Sequence, residues 1–207
     1  LVGSEMCIRD SYYLKTRRFR NLVVCFSCLL CLGIYHTVMR WYDRPCPSLV
    51  FYNVRGCPAI HCIAEDGTSW LNYADTLSDK RRLQAVAANY WRRHQLLPPI
   101  EVTADCQNVD FCRHQQIVFY HGCRICMVTD NRWRNKSAAS PLFINYMYLC
   151  KGYNGRLEEL TGLFSPSCIL LDASLSDDRK QFFREECKRL HLHFITLSEE
   201  GSVRFLL

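Results

Sequence analysis

The chain has 207 residues, of which 49% are hydrophobic and 22% charged, and its formal net charge is +6. This composition excludes a disordered or fibrous protein, and the length allows one sizeable domain plus an appendage. The 14 cysteines are too scattered for the disulfide framework of a small secreted protein. The positive charge predicts an anionic partner only if it lies on the folded domain.

The first eleven residues, LVGSEMCIRDS, resemble a translated sequencing adapter, and such a segment is excluded from fold reasoning. Residues 1–11 are therefore interpreted as an artefact, so Met6 is not a native start. We expect the native N-terminal part, an upstream membrane domain of the same protein, to be missing. Leaving out one basic and two acidic residues changes the net charge from +6 to +7.

Residues 21–39 contain no charged residue and predict a transmembrane helix. At about 1.5 Å per residue they span about 28 Å, close to the hydrocarbon thickness of a bilayer. Trp41 and Tyr42 follow as interface aromatics. A buried core helix and a signal peptide are the alternatives. The preceding flank is basic, with Lys15, Arg17, Arg18 and Arg20.

This flank determines the predicted topology. The positive-inside rule places it in the cytoplasm and everything after the helix outside. Residues 12–44 are thus predicted as a cytoplasmic flank and membrane helix, and residues 45–207 as an external domain. That domain has 19 basic and 17 acidic residues, a net charge of +2. Most of the excess charge therefore indicates topology and does not by itself indicate nucleic-acid binding.

Strands and helices alternate in the predicted domain. β-branched and aromatic runs bounded by turn signals predict strands at 48–54, 59–64, 68–73, 100–103, 115–120, 123–129, 145–149, 168–171, 193–197 and 203–206. Helical spacing of apolar residues predicts helices at 79–95, 157–164 and 177–190, the last capped by Ser176. Hairpin turns are expected at Asp66-Gly67 and His121-Gly122. This order predicts a mixed sheet with helices packed outside it.

Three segments allow a comparison with a known family. They are FYNVRGCPAI at 51–60, WLNYA at 70–74 and CKGYNGRLEEL at 150–160. In order and spacing they resemble the C-terminal metallo-β-lactamase-like domain of ComEC competence proteins, which form the inner-membrane channel for DNA uptake. The chain is most similar to the versions from Bacteroides-type bacteria. The family patterns are Asp-Val-Gly-Gln-Gly-Asp, Leu-Ile-Asp-Thr-Gly and Ser-His-x-His-x-Asp-His-x-Gly-Gly-Leu.

The metal ligands of those patterns are missing here. The third segment lacks all three histidines and the aspartate, and Asn72 occupies the place of the aspartate in the second. Lys151 and Arg156 are cations where a dication would bind, and neither ligates zinc while protonated. The resemblance therefore implies a degenerate αββα sandwich with no metal, no cofactor and no catalytic residue. Its former metal-site positions are Asn72, Lys151, Tyr153, Asn154, Arg156 and Asp172.

Other groups that could carry chemistry are interpreted as structural. Cys123 and Cys126 lie on one predicted strand, so their side chains point to opposite faces and predict neither a metal site nor a redox dithiol. His191 and His193 are expected to be structural. The acids Asp75, Asp130, Asp172 and Asp177 are expected to be caps rather than a two-metal site.

Two basic segments carry aromatic residues and are candidate contacts for single-stranded DNA. They supply Arg81, Arg82, Arg92 and Arg93 beside Tyr90 and Trp91, and Arg132, Trp133, Arg134 and Lys136 in a loop. Basic residues beside stacking aromatics are what single-stranded DNA binding requires. The alternatives are a solvated helix face and an ordinary loop. Phosphate contact by Lys151 and Arg156 is a further hypothesis.

The sequence thus predicts the last membrane helix and C-terminal domain of a DNA-uptake protein of natural competence. We expect it in the bacterial inner membrane, held by residues 21–39, with the domain on the periplasmic side. The domain would shape the channel mouth or contact incoming single-stranded DNA without catalysis. The alternatives are a residual metal-dependent phosphodiesterase or nuclease, and a membrane-anchored interaction module unrelated to DNA.

Overall fold

The structure is a computed structural model that describes residues 19–42, 46–73, 80–94 and 96–207. The chain divides into two compact units, with the boundary between Arg44 and Pro45. Three sets of residues from the sequence predictions lie outside the described residues: the adapter-like segment 1–11, the flank residues Lys15, Arg17 and Arg18, and Asp75.

The first unit contains one long helix, α1 (Phe19–Tyr42). Its segment Leu22–Met39 has a mean hydropathy of 2.1, and none of that segment is buried. Among the described residues it is the one helix long and apolar enough to cross a membrane, judged by length and composition. A signal sequence near an N-terminus meets the same criteria.

The second unit, Pro45–Leu207, contains two β-sheets and four helices in its described part. The strands are β1 (Ser48–Phe51), β2 (Ala59–Ile63), β3 (Ser69–Tyr73), β4 (Ile100–Val102), β5 (Cys106–Gln107), β6 (Phe111–His114), β7 (Ile117–Tyr120), β8 (Cys123–Val128), β9 (Leu142–Leu149), β10 (Phe164–Leu171), β11 (Phe194–Thr196) and β12 (Val203–Leu206). The helices are α2 (Lys80–Arg93), α3 (Leu157–Thr161), α4 (Asp177–Arg189) and α5 (Leu197–Glu200).

The two sheets differ in strand direction. The first sheet has the order β12-β1-β2-β3-β4 and is antiparallel except for the β3–β4 pair. The second has the order β11-β10-β9-β8-β7-β6-β5, antiparallel from β5 to β8 and parallel from β8 to β11. Because neighbouring parallel strands end at the same edge, the carboxyl ends of β8, β9 and β10 meet there.

Three hydrophobic cores arrange these elements in layers. The first lies between the sheets and contains Phe51 and Trp70 from one sheet and Tyr148 from the other. The second, which we call the outer core, joins the outer face of the second sheet to α3 and α4, which contribute Leu160 and Phe183. The third joins the outer face of the first sheet to the apolar side of α2. The result is a mixed α/β domain with the layer order helix–sheet–sheet–helix.

Some predicted boundaries are wrong. The helix predicted at 157–164 ends at Thr161, because Phe164 opens β10 and pairs with Leu142 of β9. Both of those strands begin earlier than predicted. The strands β5 and β6 and the short helix α5 were not predicted, because β5 is two residues long and β6 carries polar residues at half-exposed positions.

Candidate functional site

The carboxyl ends of β8, β9 and β10 enclose a cleft of about 490 Å³. We call this the strand-end cleft. Its lining residues are Gly56, Pro58, Thr129, Asp130, Cys150, Lys151, Gly152 and Ser174. The first two come from the loop between β1 and β2, and the others directly follow strands of the second sheet. Residues that follow three separate strands therefore converge at one cleft.

Asp172 lies fully buried beside this cleft. Its carboxylate accepts hydrogen bonds from the Tyr148 hydroxyl, from the Ser174 hydroxyl and, at 2.8 Å, from the Ser174 backbone N–H. Burial raises the pKa of Asp172, although these hydrogen bonds act in the opposite direction. Since protein donors already occupy both oxygens, Asp172 serves as a structural acceptor for the turn after β10.

Lys151 is exposed in the wall of the strand-end cleft. None of the ion pairs between described residues includes it. The next residue, Gly152, has φ +118°, and a Cβ built on it would overlap the Thr129 carbonyl oxygen. Glycine is therefore needed to bring the chain after β9 against the end of β8.

The acid in the cleft wall already has a cationic partner. The Arg132 Nε atom lies 3.0 Å from each carboxylate oxygen of Asp130, and Nη2 lies 2.8 Å from Oδ2. Burial raises the pKa of Asp130, but the hydrogen bonds and charge of Arg132 outweigh this and hold it below its usual value. Arg132, one of the predicted DNA contacts, is thus engaged within the protein.

The segment after Lys151 does not enter the cleft. Tyr153 is 1% exposed and packs in the outer core, and its hydroxyl donates to the Arg156 carbonyl at 2.7 Å. The Asn154 backbone N–H donates to Asn131 Oδ1 at 2.8 Å, and the Arg156 side chain is exposed. Of these four former metal-site positions, only Lys151 lines the strand-end cleft.

Asn72 is fully buried, and its two side-chain partners, Arg113 and Met127, line a second, smaller cleft of about 190 Å³. Asn72 Oδ1 accepts a hydrogen bond from Arg113 Nη1, and its Nδ2 donates to Met127 Sδ at 3.2 Å. Arg113 also donates to the Val102 carbonyl at 2.8 Å. Burial lowers the pKa of Arg113, which stays positively charged at ordinary pH.

The residues at the strand ends do not fit the metal site of the family patterns. Asp172 accepts three hydrogen bonds from protein donors, Asn72 is held by Arg113, and Lys151 brings a positive charge. A metal site needs several converging oxygen, nitrogen or sulfur ligands. In the described ranges, no three His, Cys, Asp or Glu side chains are grouped so that they could hold a metal ion.

The aromatic residues of α2 are partly buried and contact the first sheet or their own helix. The Trp91 Nε1–H donates to the Tyr52 hydroxyl at 3.0 Å, and its ring packs against His61 of the first sheet. Tyr90 is half-buried beside His94. The contact of this basic and aromatic helix with single-stranded DNA stays a prediction. The predicted basic contacts of α2 are exposed: Arg81, Arg82, Arg92 and Arg93.

The basic loop after β8 is tied to the second sheet. Trp133 donates to Gln116 Oε1 at 2.6 Å and packs edge-on against Phe164. Lys136 lies 5.4 Å from the centre of the Trp133 ring. Arg134 Nε is 3.4 Å from a carboxylate oxygen of Glu159. The loop therefore presents Lys136 and part of Trp133 to solvent, whereas its two arginines have carboxylate partners.

The remaining cysteine, histidine and aspartate candidates lie apart from one another in the fold. Cys123 packs toward the core between the sheets and Cys126 toward the outer core, so the prediction of opposite faces is confirmed. His193 Nδ1 lies 3.2 Å from Cys168 Sγ. Asp177 is exposed on α4 and pairs with a lysine of that helix, away from the strand-end cleft.

Sequence reasoning missed two features of the second sheet. One is Arg113, which holds Asn72; it lies on β6, which was not predicted. The other is the pair Phe119 and Arg124, opposite each other on β7 and β8. The predicted hairpin contained the signal for this pair, because residues equidistant from the turn at Gly122 face each other.

The domain that carries these clefts matches a known protein family. The family described as the ComEC C-terminal domain matches residues 49–207. The chain belongs to the ComEC C-terminal domain family. This confirms the resemblance and makes the chain part of a membrane-associated ComEC protein related to DNA uptake in competence. No curated protein and no solved structure shows a significant match to it.

Proposed function

We propose that Pro45–Leu207 is a metal-free metallo-β-lactamase-like domain that contacts incoming DNA without cutting it. In this proposal α1 is the last membrane helix of a ComEC protein of the bacterial inner membrane. The domain lies on the periplasmic side, at the mouth of the DNA channel. The observation that carries the proposal is the position of Lys151 in the strand-end cleft.

The charges of the cleft favour an anion. Asp130 is neutralised by Arg132, and Asp172 is buried and hydrogen-bonded. Among the described residues that line the cleft, Lys151 is the cation. A lysine ammonium binds a phosphate oxygen as a compact point charge. DNA is the phosphate-bearing polymer that a DNA-uptake protein handles.

The layer order and the place of the cleft support the metallo-β-lactamase-like part of the proposal. Two sheets packed between helices agree with an αββα sandwich. The cleft lies where β9 runs into the segment 150–160, which resembles the ligand segment of that family. Where the family has acids and histidines, this chain has a lysine, a buried tyrosine and an asparagine held by Arg113.

Metal analysis of the full chain in neutral detergent tests the non-catalytic part. We expect less than stoichiometric zinc and manganese after purification, and no cleavage of single-stranded or duplex DNA when either metal is added. Stoichiometric metal together with DNA cleavage would instead support a phosphodiesterase or nuclease.

Substitution of Lys151 tests the DNA contact. Lys151→Gln should weaken binding of a labelled thymidine 20-mer and reduce the slope of log affinity against log salt by about 0.7, the contribution of one phosphate contact on a single strand. Arg156→Gln is the matched control, since Arg156 is equally charged and exposed but does not line the cleft. No binding by the unmodified chain would favour an interaction module unrelated to DNA.

A further inference from the structure

The outer face of the second sheet is only partly covered by helices. The helices α3 and α4 pack over β9 and β10. On β6–β8 the residues Phe111, Val118 and Ile125 point into the core between the sheets. The residues that alternate with them, Cys112, Phe119 and Arg124, therefore form a row across the outer face. Phe119 is 39% exposed.

A second aromatic residue lies on the same face. Trp133 is hydrogen-bonded to Gln116, the residue just before Ile117 of β7. Ile117 and Trp133 both pack against the outer core. Ile117 and Phe119 are two residues apart on one strand, so their side chains point to the same side about 7 Å apart. Phe119 and Trp133 thus lie toward opposite ends of β7 on one face of the sheet.

A cationic side chain lies next to each of these two rings. The Arg124 guanidinium lies 5.3 Å from the centre of the Phe119 ring, and the Lys136 ammonium lies 5.4 Å from the centre of the Trp133 ring. In the part of the chain that the structure describes, neither cation belongs to an ion pair. The face therefore combines partly exposed rings with uncompensated positive charge.

We propose that Phe119 and Trp133, with Arg124 and Lys136, form a stacking face for the bases of single-stranded DNA. This inference rests on the proposed function and assigns the bases to a surface distinct from the strand-end cleft. Proteins bind single-stranded nucleic acids with aromatic side chains that stack on the bases and with basic side chains that contact the phosphates. Base–aromatic stacking is tolerant of sequence, as DNA uptake requires.

The loop at 130–136 links the stacking face to the strand-end cleft. Asp130 at its start lines the cleft, and Trp133 and Lys136 further along lie at the stacking face. A strand whose phosphate contacts Lys151 can therefore continue along this loop to the rings. His114 lies opposite Ile117 on this face, with its Nδ1 3.2 Å from an Asp105 carboxylate oxygen. This polar residue and the cations Arg124 and Lys136 interrupt the apolar surface. The face therefore favours single bases over a lipid surface, which needs a broad apolar face.

Binding of two oligonucleotides to the full chain in neutral detergent tests the inference. One is a labelled thymidine 20-mer, and the other is an abasic 20-mer with the same number of phosphates. The unmodified chain should bind the thymidine 20-mer about fivefold or more tightly than the abasic one. Phe119→Leu should remove most of that difference and leave affinity for the abasic strand unchanged, whereas Phe119→Trp should keep it.

Two control variants separate stacking from general effects. Leu206→Ala changes an exposed apolar residue of the other sheet, and Lys188→Gln removes an exposed cation of α4. Both should bind the two oligonucleotides as the unmodified chain does. Arg124→Gln should weaken binding of both strands, because it removes a cation and keeps the ring.

Three results would overturn the stacking face. The first is equal affinity of the unmodified chain for both oligonucleotides. The second is a Phe119→Leu variant that keeps the full preference for thymidine; in both cases DNA binding itself, and the proposed function, would stand. The third is weaker binding of Phe119→Leu to phosphatidylserine vesicles with unchanged oligonucleotide binding, which would assign the face to the membrane. A fourth result, absence of any DNA binding, would overturn the proposed function together with the stacking face.

Discussion

His61 is a fully buried histidine between the first sheet and α2. Its Nδ1 lies 2.8 Å from the Tyr52 hydroxyl, which in turn accepts the Trp91 Nε1–H at 3.0 Å. Burial lowers the pKa of His61 from 6.5 to about 3. The ring is therefore neutral in the folded protein at any pH above that value, and it packs as a polar member of an aromatic cluster.

This burial predicts a loss of stability in acid. Between pH 6.5 and 3 the unfolded chain binds a proton at His61 and the folded chain does not, so the free energy of unfolding falls as pH falls. The expected contribution is about 1.4 kcal/mol per pH unit within that window, and none above it. Urea unfolding of His61→Gln and the unmodified chain measures it. Equal pH slopes in the two proteins would contradict this account.

Gly152 gives a second prediction at the same scale. Alanine at this position would need φ +118° and would place its Cβ on the Thr129 carbonyl oxygen, which is backbone and cannot rotate away. We expect Gly152→Ala to lower the free energy of unfolding by about 3 kcal/mol. Gly56→Ala is the matched control: Gly56 also has positive φ, but open space surrounds its Cβ position.

The difference in free energy of unfolding between the two glycine variants measures the effect of the close approach of residue 152 to the Thr129 carbonyl oxygen. Gly56→Ala should cost about 1 kcal/mol, from the backbone conformation only. Thermal unfolding of both variants by circular dichroism is the measurement. A Gly152→Ala variant no less stable than Gly56→Ala would show that the chain after β9 can move away from β8.

Single residues at the site were only partly predictable. Lys151 could be placed from sequence because its segment follows a predicted strand and resembles the ligand segment of the family. The inward position of Tyr153 could not, because it depends on packing against Phe183 of α4. The partner of Asn72 could not either, because Arg113 lies 41 residues away on a strand with no clear pattern.

At the scale of elements, α4 fixes the segment that follows β9. The Arg179 Nη2 donates to the carbonyls of Tyr153 and Gly155 at 3.2 and 3.0 Å, and its guanidinium lies over Phe183. Farther along α4, Glu186 accepts the Leu157 N–H at the start of α3 at 2.7 Å. One helix thus satisfies backbone groups of the loop and of the next helix.

We expect Arg179→Met to lower the free energy of unfolding by about 2 kcal/mol, because methionine preserves the apolar contact but leaves two carbonyls without their charged donor. Hydrogen exchange should also speed up at the Leu157 amide as the loop loosens. Lys188→Met, on the exposed side of the same helix, is the control and should change neither quantity. Similar effects of the two variants would argue against a specific role for Arg179.

The elements that sequence predicted well are those with local signals. The position of α4 followed from Ser176, which accepts the Arg179 N–H as a cap, and from the acids of its first turn. The β7–β8 hairpin followed from its turn at Gly122. The strands β5 and β6 lie at the sheet edge, where burial imposes little alternation on the sequence, so their pattern is weak.

At the scale of the whole molecule, α1 and the domain Pro45–Leu207 differ in how much apolar surface they leave exposed. All of the segment Leu22–Met39 is unburied, although its mean hydropathy is that of a membrane span. Exposed apolar surface of this extent is unfavourable in water and suits a bilayer. The sequence predicted this helix closely because the long uncharged and mostly apolar run at 21–39 can be recognised without knowledge of tertiary contacts.

The proposed topology predicts where the C-terminus lies. Alkaline phosphatase fused after Leu207 should be active in cells, because the enzyme matures only outside the cytoplasm, and a cytoplasmic reporter at the same place should be inactive. Changing Arg20 and the basic residues before it to glutamine should reduce phosphatase activity, since the flank sets the orientation. Activity of the cytoplasmic reporter alone would place the domain inside the cell.

The Asp130–Arg132 pair and Lys151 have one further consequence for the molecule. Their charges are part of the polypeptide, so the electrostatics of the strand-end cleft are in place once the chain has folded. In the proposed function the cleft binds its anion through these charges and not through a bound metal ion. The affinity of the cleft for phosphate would then not vary with the metal supply around the cell.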